Sequence, residues 1–430
     1  MRGPSQTIAW RGFLLWAVIA LTFRGAVVFI GASAIERAEQ AGIAEDGSAY
    51  YLPLATSLWE GDGFANKDGR PTASHMPGYP LLVAAARWVT ASFHGAIMAI
   101  QLLSGSLTVG LVFLMATTLT TPWAAHLAAL IAVCWPDLVL YAGLNLSENP
   151  FLCLALAGGV ILSRLLRTGE PATAAMLGLV CGLGVLVRKS MVSFILAWTI
   201  AVLVFPATRP PTRRLVNAAV LLAALALTLL PWWGRNLRTF GEFIPLTTKG
   251  AHNIYSGTLI RPYYLSDARN DLVTPDPEEQ MREEAVAERV HAAGSFGERD
   301  RILLRATLDN VLRDPVAQLK HLARKAYFLW QPNVGSRHAS RVGFAPVLWL
   351  IAAGHWLLVV AGLAGLFHLR SDREAVMTFI VPFLVVTIFH VVVGIGEPRY
   401  HLVFLPLLIV SAVALHPGAR VNSRTPSRSC

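Results

Sequence analysis

The sequence is poor in charged residues. Only 14% of its 430 residues are Asp, Glu, Lys or Arg, and 54% are hydrophobic. A soluble domain of ordinary composition carries about a quarter charged residues. Long stretches of this chain must therefore face something other than water, which excludes a conventional soluble enzyme domain.

Cysteine is also scarce, with four residues in the whole chain. Cys134, Cys153 and Cys181 fall inside apolar runs, and Cys430 is the last residue. A disulfide framework is therefore not indicated. Cysteine and histidine nowhere have metal-ligand spacing, so we expect no certain cofactor. A divalent metal stays possible, without a visible ligand set.

Apolar runs long enough to cross a membrane dominate what is present. A spanning helix needs about 20 mostly apolar residues, and backbone amides cannot stay unpaired in hydrocarbon. The sequence predicts an all-α polytopic membrane protein with about ten transmembrane helices, interfacial helices in the first outer loop and a long, mostly helical outer loop. The predicted spans lie near residues 13–34, 95–119, 123–140, 148–166, 172–188, 190–206, 215–233, 346–369, 374–394 and 400–416.

The topology depends on the short run 79–93, which is too short to cross comfortably. If this run lies flat at the interface, the basic clusters of the short connections fall on the cytoplasmic side, as positive residues usually do. If it crosses, the clusters fall outside. Charge favours the flat arrangement with a cytoplasmic N-terminus. The clusters are Arg164 with Arg167, Arg209 to Arg214, and Arg370 with Arg373.

The net charge of +10 is spread over connections and the tail, so we expect no nucleic-acid partner.

Four regions follow from this topology. The regions are an N-terminal transmembrane module, 1–233, with the first outer loop, 35–94; a long extracytoplasmic loop, 234–345; C-terminal transmembrane helices, 346–416; and a basic cytoplasmic tail, 417–430.

Two polar features stand out on the predicted outer face. The basic pair Arg188 and Lys189 breaks the charge rule, which indicates either a bound anion or side chains reaching to lipid headgroups. Asp46 follows the first span and suits either a general base or a helix cap. Arg24 lies inside a span and should face a partner or a cavity. His126, His355 and His390 are expected to pack between helices.

The order of short motifs resembles that of GT-C glycosyltransferases, in the branch of bacterial protein O-mannosyltransferases and the lipid A aminoarabinose transferase. The resemblance covers most of the chain up to about residue 416. The first outer loop carries Asp46, Tyr50 or Tyr51, Leu54-Ala55, Gly61 to Gly63 and Met76-Pro77-Gly78-Tyr79-Pro80. Later matches are Ser147-Glu148, Leu186-Val187-Arg188, Pro231-Trp232, Arg235-Asn236, Phe240-Gly241 and Glu397-Pro398-Arg399-Tyr400.

This resemblance implies transfer of a sugar, with inversion, from a polyprenyl-phosphate donor to an extracytoplasmic protein, lipid or glycan. It implies a multi-pass protein of the bacterial inner membrane with an outer active face. The base would be Asp46 or, because the register differs by one residue, Glu45. A lipid or solute transporter or flippase is the alternative. The implied substrate-binding residues are His75, Tyr79, Glu148, Arg188, Lys189, Arg235, Asn236, Glu397, Arg399 and Tyr400.

Overall fold

A computed structural model describes residues 4–33, 46–205, 209–260, 277–332, 345–394 and 398–416. Within these ranges the secondary structure is helical apart from one isolated bridge between Ala65 and Pro71. The predicted class, an all-α polytopic membrane protein, is confirmed.

The described residues up to Leu140 form six helices. A single π-helical turn, Gly47–Tyr51, leads directly into the second of them. In chain order they are α1 (Pro4–Ile30), α2 (Leu52–Glu60), α3 (Gly78–Ala86), α4 (Phe93–Leu119), α5 (Pro122–Cys134) and α6 (Pro136–Leu140).

The remaining helices continue to the C-terminal region, and a 3₁₀ segment, Pro398–Phe404, precedes the last one. Four apolar helices come first in this part, the helices of the long loop follow, and the C-terminal apolar helices come last. They are α7 (Glu148–Thr168), α8 (Pro171–Val187), α9 (Met191–Val204), α10 (Pro211–Phe240), α11 (Gly250–Ser256), α12 (Pro277–Ala292), α13 (Phe296–Arg313), α14 (Pro315–Leu329), α15 (Ala345–His368), α16 (Arg373–Val392) and α17 (Leu405–Val413).

Each of the ten predicted apolar runs is helical, but ten crossings are not confirmed. Among the described residues, six helices are long and apolar enough to span, and the pair α5 and α6, bent by 56°, gives a seventh if it forms one span. The helices α8, α9 and Arg399–Val413 are apolar but shorter. Tertiary packing, rather than hydropathy alone, decides how deep such short helices reach.

The run 79–93 forms the short helix α3 followed by turns, and then Ser92 caps the start of α4. Nine residues at 1.5 Å each extend about 13 Å, which is less than half of a hydrocarbon core of about 30 Å. This length agrees with a segment lying at the interface.

Arg24 has the polar partners expected of a cation within a span. Its guanidinium is fully buried and donates to the carbonyl oxygens of Gly105 at 2.6 Å and Ala132 at 3.1 Å. Arg24 therefore ties α1 to α4 and α5, and its hydrogen bonds offset part of the cost of burying the charge.

Candidate active site

Asp46 occupies the N-cap position of the π-helical turn, but its side chain makes no capping hydrogen bond. Instead its Oδ2 accepts a hydrogen bond from Nη1 of Arg399 at 2.7 Å. The side chains of Asp46 and Arg399 are 31% and 25% exposed, so the pair can be reached from outside. The helix-cap interpretation of Asp46 is therefore not supported.

Glycine at position 47 explains how Asp46 comes so close to the turn before α7. A Cβ atom on Gly47 would lie 2.8 Å from the Cβ of Asn145, which is too close for two carbons. Next along the turn, the hydroxyl of Tyr51 lies 3.1 Å from Oγ of Ser147. These contacts hold the π-helical turn against the start of α7, where Glu148 is the first residue.

Arg188 follows the last residue of α8 and lies beside this turn. Its Nη1 lies 3.0 Å from Oε1 of Glu148 and 3.0 Å from Oγ of Ser147. Gly78 at the start of α3 permits this placement, because a Cβ there would meet the backbone of Leu186 at 2.6 Å. The motif glycine thus lets α3 pack on the backbone that leads to Arg188.

The ring of Tyr400 lies between the two arginines of the cluster. The guanidinium carbons of Arg188 and Arg399 are 5.5 and 5.4 Å from its centroid, within the range of cation–π attraction. Two guanidinium groups are therefore held near each other around one aromatic ring, beside the carboxylates of Asp46 and Glu148.

Two lysines complete the cationic side of the cluster. Nζ of Lys249 lies 4.3 Å from the ring centroid of Tyr50, whose ring stacks on His75 at 4.5 Å. Nζ of Lys189 lies 2.7 Å from the amide oxygen of Asn253, in the amide orientation that satisfies both groups of that side chain. Within the described ranges neither lysine pairs with a carboxylate.

The pKa values of the cluster are shifted by burial and by the excess of cations over carboxylates among its described residues. Burial, together with Arg188 and Lys249, lowers the pKa of Lys189 to about 8. Burial and Lys249 lower the pKa of His75 to about 4, so this imidazole is neutral at pH 7. Burial raises the pKa of the Asp46 carboxyl, but the charge and hydrogen bond of Arg399 bring it below its ordinary value.

Arg235 makes a different kind of contact from Arg188 and Arg399. Its guanidinium donates to the carbonyl oxygens of Thr72 at 2.8 Å and Phe64 at 2.9 Å, and to Oδ1 of Asn236 at 3.0 Å. Asn236 itself is fully buried and donates to the carbonyl oxygen of Ile244. Both residues fasten the first outer loop and the start of the long loop to α10.

Tyr79 is fully buried, so a ligand does not reach it directly. Its hydroxyl donates to Oδ1 of Asn145 at 2.8 Å and accepts from Nε2 of Gln101 at 2.9 Å. Through Asn145 it supports the turn that holds Asp46. Glu45 and Glu397, the other two predicted site residues, lie outside the described residues.

Comparison with protein families gives a match over part of the chain. Residues 74–233 match the family described as dolichyl-phosphate-mannose-protein mannosyltransferase. No curated protein matches the chain. The match confirms the GT-C resemblance. It supports a membrane glycosyltransferase of the mannosyltransferase type.

The matched region covers five of the predicted site residues but not the pair at the centre of the cluster. Asp46 precedes the region and Arg399 follows it, so their pairing is known from the geometry alone. The GT-C motifs did not indicate Lys249. Its only signal in the sequence is that it is the one Lys or Arg between Phe240 and Arg261.

Proposed function

We propose that this GT-C protein transfers a sugar from a polyprenyl-phosphate donor to a hydroxyl or amine of an extracytoplasmic acceptor. One observation carries the proposal: a partly exposed carboxylate, Asp46, lies in a cluster where, among the residues that the structure describes, cations outnumber carboxylates. The cations are Arg188, Lys189, Lys249 and Arg399, and the carboxylates are Asp46 and Glu148. An anionic phosphate would relieve the repulsion among the cations.

The reaction needs groups that suit this cluster. The acceptor oxygen or nitrogen attacks the anomeric carbon, the bond from that carbon to the phosphate oxygen breaks, and its electron pair leaves with the lipid phosphate. Asp46 takes the proton from the acceptor. Arg399, Arg188 and the lysines stabilise the charge that develops on the departing phosphate. A single displacement of this kind inverts the anomeric configuration.

The ion pair between Asp46 and Arg399 gives donor binding a role in activating the base. A donor phosphate competes with Asp46 for the guanidinium of Arg399. When Arg399 turns to the phosphate, the interaction that lowers the pKa of Asp46 weakens, and the carboxylate becomes a stronger base. The base would therefore be activated only when the leaving group is in place.

Arg188 would bind the phosphate differently from Arg399, because Glu148, the carboxylate that pairs with Arg188, is buried. The side chain of Glu148 is 5% exposed, compared with 31% for Asp46. Glu148 would therefore keep its partner, and Arg188 would hold the phosphate from a fixed position. His75, neutral and stacked on Tyr50, would form part of the wall against which the sugar binds.

The site would face the extracytoplasmic side of the cell membrane. Reporters fused near Arg214 and Arg373 are then expected to read as cytoplasmic, and a reporter at Ser266 as external. An external reading at Arg373 would place the basic connections outside and would contradict the proposed face.

Substitution of the base tests the chemistry most directly. Asp46→Asn keeps the size and much of the hydrogen bonding but removes the basicity. General base catalysis contributes about 100- to 10,000-fold, so turnover of a lipid-linked sugar should fall by that order while the donor still binds. Turnover is measured by product formation across acceptor pools in reconstituted vesicles.

Glu45→Gln is the matched control for this experiment because the two carboxylates are neighbours in the sequence. If Glu45→Gln is inactive and Asp46→Asn is active, then Glu45 is the base and Asp46 is not. Normal turnover in both variants would show that neither is the base. Donor movement across the vesicle without any transfer product would indicate a flippase instead.

A further inference from the structure

Three buried side chains that could bind a metal ion meet apart from the Asp46 cluster. Asp137 lies in α6, His355 in α15 and His401 in the 3₁₀ segment Pro398–Phe404, with residue exposures of 2%, 1% and 0%. One potential ligand atom from each lies within 4.8 Å of the others. Nε2 of His401 is 3.9 Å from Oδ2 of Asp137.

Backbone hydrogen bonds fix the tautomer of both imidazoles. Nε2 of His355 donates to the carbonyl oxygen of Trp330 at 2.9 Å, and Nδ1 of His401 donates to that of Leu329 at 3.0 Å. A carbonyl oxygen only accepts, so these two nitrogens carry the protons. In neutral imidazoles the other nitrogens, Nδ1 of His355 and Nε2 of His401, then present lone pairs.

These two nitrogens are the unusual feature of the cluster. Both are buried and make no hydrogen bond within the described part of the chain. Leaving a buried acceptor unsatisfied is costly, so two such nitrogens close to one carboxylate call for a common partner. Histidines that bind metals typically donate their other N–H to a carbonyl or carboxylate, as both do here.

We propose that Asp137, His355 and His401 bind one divalent transition-metal ion, with Zn²⁺ as the best fit. Two neutral imidazoles and a carboxylate are ligands that suit Zn²⁺, whereas Mg²⁺ and Ca²⁺ prefer oxygen alone. A tetrahedral ion with bonds of about 2.1 Å places its ligand atoms about 3.4 Å apart. The three groups therefore need to close by roughly 0.5–1.4 Å.

Space for a fourth ligand lies beside the cluster. A cavity of about 250 Å³ is lined by Asp137 and His355 together with Trp135, Leu350 and Gly354. A tetrahedral site with three protein ligands keeps one position for water, and this cavity can hold it. The proposed ion would thus be reachable from one side while its ligands stay buried.

The ion would position the candidate active site without being part of it. His401 follows Arg399 and Tyr400 in the same 3₁₀ segment, and the ion would fix that segment to α6 and α15. The pairing of Arg399 with Asp46 depends on where the segment lies. The inference itself does not depend on glycosyl transfer, because metal binding is measured without any turnover.

Metal content tests the proposal. The detergent-purified full chain is incubated with Zn²⁺, passed through a desalting column and analysed by mass spectrometry for metals. We expect about one Zn²⁺ per chain in the wild type and less than about a tenth in His355→Gln and His401→Gln, because each variant loses one of three ligands. His390→Gln is the matched control, since His390 is also buried, at 6% exposure, but its Nδ1 donates to the carbonyl oxygen of Val386.

A second measurement uses only the wild-type protein, so it does not depend on whether a variant folds. Co²⁺ added to the wild type should give the intense visible absorption of a four-coordinate cobalt site, and Zn²⁺ should abolish it. Less than about a tenth of an ion per wild-type chain would overturn the proposal. Equal metal content in the wild type and both histidine variants would do the same, because the ion would then be bound elsewhere.

Discussion

The motif resemblance implied that Arg235 and Arg399 both bind substrate, yet they lie in different surroundings. The three acceptors of Arg235 are two backbone carbonyls and a side-chain amide, all uncharged. Its guanidinium also lies within 6 Å of the rings of Phe64, Trp232 and Phe240. Arg399 instead bonds the carboxylate of Asp46.

The difference lies in whether each guanidinium can exchange its present hydrogen-bond acceptors for a phosphate. Carbonyls fixed in the backbone cannot leave Arg235, so a phosphate would have to break contacts that hold the first outer loop on α10. Asp46 is partly exposed, so Arg399 can replace one anion by another at little net cost. The two arginines, although each lies next to an aromatic residue, therefore differ in their capacity to bind a ligand.

The largest effect on donor binding is expected for Arg399. Arg399→Gln removes a charged donor, and hydrogen bonds to charged groups contribute about 1.5–3 kcal/mol. Donor affinity should therefore fall about 10- to 100-fold. Titration of the detergent-purified protein with a polyprenyl-phosphate sugar measures this change. Unaltered affinity, with the protein folded, would remove Arg399 from the phosphate site.

The same change at Arg235 should affect stability and leave the donor bound. Arg235→Gln loses charged hydrogen bonds to the first outer loop, and we expect a loss of about 1.5–3 kcal/mol in the free energy of unfolding. Thermal unfolding measures the loss, and the donor titration serves as the contrast. A drop in donor affinity equal to that of Arg399→Gln would abolish the distinction between the two arginines.

The smallest expected effect is a pH dependence from Lys189. The pKa of this ammonium is about 8 in the free protein, and a bound phosphate would raise it toward the ordinary 10.5. Binding then takes up a proton above pH 8, so affinity is full below pH 8 and falls as pH rises. We expect a decrease of about three- to tenfold between pH 8 and 9.

Lys189→Arg provides the control for the pH profile, because a guanidinium stays charged over this range. The variant should bind the donor equally well at pH 7 and pH 9. If the wild type and Lys189→Arg show the same profile, another group causes the pH dependence and Lys189 does not contact the phosphate.

Local sequence determined which segments form apolar helices. Each apolar run became a helix, and α3 proved as short as its composition indicated, because hydrocarbon requires every backbone group to be paired within its own segment. Two glycines, one beside Asp46 and one within a motif, were also informative. Gly47 and Gly78 stand where a Cβ would collide with neighbouring backbone or side chain.

Only the tertiary structure decided which charges face one another. Asp46 and Arg399 are 353 positions apart, and Lys249 carries no motif that would associate it with them. Arg235 carries a motif but lies against backbone carbonyls. Hydropathy indicates whether a segment faces water or hydrocarbon, and motifs indicate its local geometry. The partner of a charged side chain depends on how distant helices pack, and no short stretch of sequence encodes that.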